Sequence, residues 1–155
     1  MNRVRVASAA LSLTATTLIG IAIHEGFQPK AYVPVKGDVH TIGFGTTKNV
    51  KPGDTITVER ALVRLLDDAS KFERAVKRCA PVPMHSYEFD AYVSLTYNIG
   101  EGAFCRSTLA KKLNSLDYEG ACREILKWDK FGGKPLAGLT KRRNAEYNQC
   151  IGISQ

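Results

Sequence analysis

His24-Glu25-Gly26-Phe27 and, a few residues on, Asp38-Val39-His40-Thr41-Ile42-Gly43-Phe44-Gly45 frame the stretch that decides how this chain is read. Upstream, Val6 to Ile23 carries no charge. Its apolar residues are Val6, Leu11, Leu13, Leu18, Ile19, Ile21 and Ile23, and the rest are Ala, Gly, Ser or Thr. Such a stretch is at the short end of the roughly 17–25 residues that span a bilayer. Its small residues make it a weak membrane segment, able to insert and able to leave. Arg3 and Arg5 precede it and favour a cytoplasmic start. Glu25 thus stands as a single carboxylate at the end of an apolar helix, where a general acid would be held out of bulk water.

After Glu25 the helical pattern stops. Gly26, Pro29, Pro34, Gly37, Gly43 and Gly45 break it, and Tyr32, Val33, Val35, Val39, Thr41, Ile42 and Phe44 favour strand. Residues 31–47 are expected to form a small antiparallel hairpin or meander that turns near Lys36-Gly37-Asp38, with a further turn at Lys51-Pro52-Gly53-Asp54.

Everything downstream reads as helix. Leu62, Leu65, Leu66, Ala69, Phe72, Val76 and Cys79 recur at helical spacing behind Thr57 as N-cap, up to Pro81 and Pro83. Ser86 is the expected cap of a second helix whose Phe89, Tyr92, Val93, Leu95, Thr96 and Ile99 are apolar nearly all round, the mark of a central helix. Gly100 supplies its C-cap. A short helix over 107–113, one capped by Asp117 and a basic terminal helix capped by Thr140 complete the chain. The expectation is an α+β, mostly helical chain: a small antiparallel sheet lobe, a connecting helix, and a larger helical lobe across a cleft.

The 155 residues amount to about one domain. The formal net charge of +7 favours anionic partners. No nucleic-acid motif appears, so nucleic acid is not expected. No phosphate loop, dinucleotide fingerprint or Cys/His zinc spacing is present, so no cofactor or metal is expected. Cys79, Cys105, Cys122 and Cys150 make an even count, which in an exported protein implies two disulfides among three possible pairings. Cys105 and Cys122 flank an expected helical turn. In that placement they would face each other and leave Cys79 to Cys150.

Glycoside hydrolysis pairs an acid with a second carboxylate. Beside Glu25, Asp38 is the only other acid in the block, and the Thr41 hydroxyl could position water. His24 and His40 have no Ser or Cys nucleophile at motif spacing.

The Glu25-Gly26-Phe27…Ala31-Tyr32…Thr41-Ile42-Gly43-Phe44-Gly45-Thr46 block resembles the phage lysozyme family, glycoside hydrolase family 24. So do Ala91 to Gly100, Ala103-Phe104, Ser107-Thr108-Leu109 and Gly138 to Glu146, in the same order. The resemblance covers nearly all the chain after residue 20. It implies a lysozyme-like two-lobe fold and a muramidase cutting the β-1,4 bond between N-acetylmuramic acid and N-acetylglucosamine. Glu25 matches the acid and Thr41 the catalytic threonine. The family's aspartate position reads Pro34 here, in a slightly longer loop, and Asp38 is the available substitute. Thr46 falls where many relatives carry His. Tyr32, Asn98 and Arg142 are expected to meet substrate, and Lys141, Arg142 and Arg143 to attract the acidic wall polymer.

The first 23 residues resemble the signal-arrest-release segments of some family members. This implies residues 1–23 as an export segment and 24–155 as the catalytic domain. The host secretion machinery and inner membrane would then be partners, with residence on the periplasmic face before release into the periplasm. Cleavage after Gly20-Ile21-Ala22 is the rival reading, and it would leave Glu25 third in the mature chain with no helix to hold it. A non-catalytic peptidoglycan-binding protein of the same fold is the other alternative. The protein is expected to act as a monomer.

Overall fold

The structure, a computed structural model, describes residues 4–153. Arg3 lies outside the described residues. The chain begins as a strap. Val6 bridges Met84 through paired backbone bonds of 3.0 and 2.8 Å, Ser8–Ala10 forms one 3₁₀ turn, and Leu11 to Thr14 is extended. Helix α1 (Ala15–Glu25) follows, with the Thr14 hydroxyl accepting from the Thr17 amide. Only the second half of the apolar stretch is therefore helical. No described helix is long and apolar enough to cross a membrane.

Strands β1 (Gln28–Tyr32) and β2 (Thr41–Gly43) pair antiparallel with Tyr32 opposite Thr41, so the expected hairpin forms but begins at Gln28 rather than residue 31 and leaves Val33, Val35, Val39 and Phe44 outside the strands. The loop between them is exposed over residues 32–39. Helix α2 (Val58–Cys79), capped by Thr57, connects the lobes. Its buried stripe is Ala61, Leu65, Ala69, Ala75 and Val76, while Leu62 and Leu66 face water. The stripe is rotated from the expected one because alanines let α2 approach its neighbours closely. At Gly43, even one added carbon would lie 2.9 Å from the Ala61 Cβ.

Helix α3 (Ser86–Ile99) is the central helix, with residues 88–96 all buried. Its N-cap is His85 rather than Ser86, because the Glu88 carboxylate reaches back to the His85 amide at 2.8 Å. Helices α4 (Glu101–Arg106), α5 (Thr108–Asn114, capped by Ser107) and α6 (Tyr118–Ile125, capped by Asp117) wrap it. A hairpin of β3 (Lys130–Phe131) and β4 (Lys134–Pro135) then turns through Gly132 and Gly133, both at positive φ. Helix α7 (Ala137–Cys150) begins directly after it, so Thr140 lies inside the first turn and is not the cap. Its hydroxyl instead donates to the Leu136 carbonyl at 3.2 Å.

The main core surrounds α3 with Val76, Phe89, Tyr92, Leu95, Phe104, Leu113 and Ile125. A second cluster, of Ile21, Ala22, Phe44, Ala61 and Leu65, ties α1 and the β2 turn to α2. The disulfides join Cys79 to Cys105 and Cys122 to Cys150, with Cα separations of 5.3 and 5.7 Å. The expected Cys105–Cys122 and Cys79–Cys150 pairing is therefore wrong. Cys79 closes α2 and meets α4, which packs along it; Cys122 of α6 faces the end of α7.

Candidate active site

Glu25 is the last residue of α1, and Gly26 at φ +71° ends the helix there. Ile21, fully buried, fixes the helix one turn earlier. The carboxylate is held from both sides. Arg142 Nη1 of α7 donates to Glu25 Oε1 at 2.8 Å. On the other side lies Gly45, at φ +85°; a Cβ there would stand 3.2 Å from Glu25 Oε2. Glycine at 45 thus serves both the turn and the room around the acid.

Arg142 is itself buried. Its Nε donates to Glu146 Oε1 at 3.2 Å, and its Nη2 to the Ser94 carbonyl at 3.4 Å. Glu146 also accepts the Ser94 hydroxyl at 2.7 Å and forms an ion pair with Arg143 at 3.0 Å. Arg143 donates to Asn98 Oδ1 at 3.0 Å. An alternating chain results: Glu25, Arg142, Glu146, Arg143. Burial pushes the Glu146 carboxyl up and the Arg143 guanidinium down, and the opposite charges beside each hold against it. Arg142 and Arg143 consequently act inside the protein. They do not form an open surface for wall polymer; of the three basic residues expected there, only Lys141 is exposed.

On β2, the Thr41 hydroxyl donates to the Val39 carbonyl at 3.3 Å in a buried setting, and Tyr32, its partner on β1, is exposed. Asp38 is exposed in the loop, where its Oδ1 accepts the Val39 amide at 2.8 Å. Among the described contacts none joins Asp38 to Glu25 or Thr41. Tyr97 donates to the Phe44 carbonyl at 2.9 Å, fixing the β2 turn to α3. Burial pushes the Tyr97 phenol up, so it stays protonated. Thr46 donates to Asp68 Oδ2 at 2.7 Å. A cavity of about 430 Å³ runs from Gly45 past Thr46, Thr47, Asp68, Lys71 and Tyr97. Gly45, the neighbour of the Glu25 carboxylate, is one of its lining residues, and its walls mix charged and aromatic side chains; Glu25 and Thr41 do not line it.

Sequence reasoning missed Gly45, Ser94, Tyr97 and Glu146 as parts of the site. A signal existed for Glu146: it follows Arg142 by four residues and Arg143 by three, the spacings that meet on one helix face.

The phage lysozyme family model matches residues 22–146. The endolysin of Acyrthosiphon pisum secondary endosymbiont phage 1 is 43% identical over 133 residues, 83% of this chain and 90% of that protein. The SAR-endolysin of Enterobacteria phage P21 is 30% identical over 149 residues, covering 94% and 90%. The chain spans about half the length of the Bacillus phage endolysins it also matches. Among solved structures, the endolysin of Escherichia coli O157:H7 phage FAHEc1 superposes with a TM-score of 0.81 at 36% identity, covering 94% of this chain and 96% of that one. This chain belongs to the phage lysozyme family, and its fold is the lysozyme-like two-lobe α+β fold.

Proposed function

We propose that this protein is an endolysin that hydrolyses the β-1,4 bond between N-acetylmuramic acid and N-acetylglucosamine in bacterial peptidoglycan, acting as a monomer in host lysis. The observation that carries this reading is Glu25, clamped by Arg142 at the end of α1 with its second oxygen beside Gly45, a glycine that also lines the neighbouring cavity. In the reaction Glu25 gives its proton to the glycosidic oxygen as the bond to the sugar breaks. The Thr41 hydroxyl, already aimed by the Val39 carbonyl, positions the incoming water. Asp38 is the second carboxylate, which takes up the proton that the water loses as its oxygen bonds to the sugar carbon. It is the one acid between Glu25 and Asp54, and its exposed loop leaves it free to face a bound glycan. Tyr32 and Asn98 supply further contacts to the sugar chain.

Residues 1–23 act, in this proposal, as an uncleaved export segment that rests in the host inner membrane before the domain closes in the periplasm. The fully buried Ile21 supports retention of the segment, because cleavage after Ala22 would remove it from the core. The likeness to a protein named SAR-endolysin supports the membrane stage.

The test is turbidity loss of outer-membrane-permeabilised Gram-negative cells. Wild type is expected to clear them and Glu25→Gln to lose about a thousandfold in rate while keeping its circular dichroism. Clearing by Glu25→Gln at the wild-type rate would sink the assignment. Intact mass of the exported protein checks the segment: a species beginning at Ile23 would mean it is cleaved.

A further inference from the structure

A second and larger concavity, of about 910 Å³, lies between α1 and α7, where Gly20, Ile23 and His24 face Pro135, Ala137 and Lys141. It lies apart from the cleft and has no part in the proposed reaction. Large apolar side chains stand exposed on the elements that form it. Ile19 and Ile23 share one face of α1, four residues apart, at 58% and 75% exposure. Phe131 and Leu136 on and after the β3–β4 hairpin are 73% and 52% exposed.

The charge around them is mostly positive. Lys130, Lys134 and Lys141 are exposed, residues 130–141 contain no acid, and none of these lysines has an ion-pair partner among the described residues. Two of the three acids on the neighbouring elements are paired with arginines. Glu25 is bound to Arg142 and Glu146 lies buried between two arginines, while half-buried Asp129, next to Lys130, accepts the Thr140 hydroxyl at 3.4 Å in a bond shared with the Leu136 carbonyl. Burial and the nearby Arg142 depress the His24 imidazole, so it adds no charge at neutral pH.

We propose that this face, with Ile23 and Lys141 bordering the concavity and Ile19, Phe131, Leu136, Lys130 and Lys134 exposed on the elements that bound it, docks the folded protein on an anionic phospholipid bilayer. Charge complementarity selects that occupant. A lipid interface accepts apolar side chains just below the headgroups while its phosphates meet the lysines. A wall polyanion would satisfy the lysines and leave Ile23 and Phe131 in water. A second copy meeting this face about a two-fold axis would set lysine against lysine. The consequence is that the domain stays at the membrane surface after its first residues have folded into it. The inference does not depend on hydrolysis, and its test does not read hydrolysis.

The test is cosedimentation of the full chain with vesicles of phosphatidylethanolamine and phosphatidylglycerol, against vesicles of phosphatidylcholine alone. Circular dichroism and melting temperature check the fold of each variant. Wild type is expected to bind the anionic vesicles and to leave them in high salt. Lys134→Glu should weaken binding by tenfold or more, since it changes two unit charges at roughly a factor of five each. Phe131→Ser and Ile19→Ser should also weaken it, and Lys111→Glu, on α5 away from the groove, should not. Equal binding by all variants, or equal loss with Lys111→Glu, would overturn the proposal. So would salt-resistant binding, which would mean insertion of residues 6–23. Loss of binding to purified peptidoglycan in the same variants, without vesicle binding by wild type, would assign the face to the wall and also overturn it.

Discussion

Arg142 and Glu25 meet at 2.8 Å although 117 residues separate them in the chain. The contact joins the end of the first helix to the start of the last. The guanidinium is held by Glu146 and the Ser94 carbonyl before it reaches Glu25, so its direction is fixed without substrate. Preorganisation of this kind removes reorientation from the reaction step. Arg142→Lys keeps the charge and loses the planar fork. It is expected to lower kcat by about a hundredfold, the scale of a misplacement of about 1 Å, with KM nearly unchanged. Steady-state kinetics on soluble glycan strands checks the split.

Gly45→Ala is expected to damage function beyond its effect on stability. The new methyl would press on Glu25 Oε2 and adopt φ +85°, a conformation that costs about 1 kcal/mol or more for an L side chain. A melting temperature lowered by a few degrees, with activity nearly abolished, is the expected pattern. An active Gly45→Ala would mean that the glycine serves the turn alone.

The two proposed partners of Glu25 separate by substitution. Asp38→Asn is expected to reduce clearing at least tenfold, and Thr41→Ala, which removes the hydroxyl held on the Val39 carbonyl, by more. Wild-type activity in Asp38→Asn would leave the water to Thr41 and remove Asp38 from the mechanism.

Asp90 carries a pH signature. Its carboxylate, buried in α3, accepts the Thr14 amide at 3.1 Å, the Thr14 hydroxyl at 2.5 Å and the Thr17 hydroxyl at 3.0 Å. Burial raises its pKa in spite of these donors. A carboxyl with a raised folded-state pKa is better bound to its proton in the native state, so it favours folding most at low pH. That contribution fades as pH rises from about 4, the unfolded value, through the raised folded one. Wild type should therefore lose stability relative to Asp90→Asn across that interval. Urea midpoints from pH 4 to 7 test the sign, and a constant difference would contradict it.

The disulfides close loops with sequence separations of 26 and 28. Replacing Cys122 and Cys150 by Ser is expected to cost about 2–5 kcal/mol, read as a lower urea midpoint. Peptide mapping under non-reducing conditions should return Cys79–Cys105 and Cys122–Cys150, and no other pair.

Much of this was legible in the residues. Thr57 and Asp117 sit where a helix needs a side-chain oxygen, and both accept the expected amide, while Ser107, read as the first residue of a helix, is its cap. The central position of α3 followed from its apolar circumference, and the place of Glu25 from the end of an apolar run before glycine. What escaped reading depends on partners distant in sequence. Two-residue strands have no periodicity, so the 130–135 hairpin went unread, and α7 was begun too late. His85 became a cap because Glu88, also bound to Arg5, reaches back to it. Arg142 looked like a surface cation until Ser94 and Glu146 enclosed it. Cysteine pairing followed which helices pack together, which their spacing does not encode.

The span between Glu25 and Arg142 also orders events during synthesis. Glu25 leaves the ribosome early, and its guanidinium partner is among the last residues made. A chain stalled or proteolysed anywhere before α7 holds the acid without the clamp, so incomplete copies are blunt. For a protein that can destroy its producer, completion of the final helix serves as a quality check on every molecule.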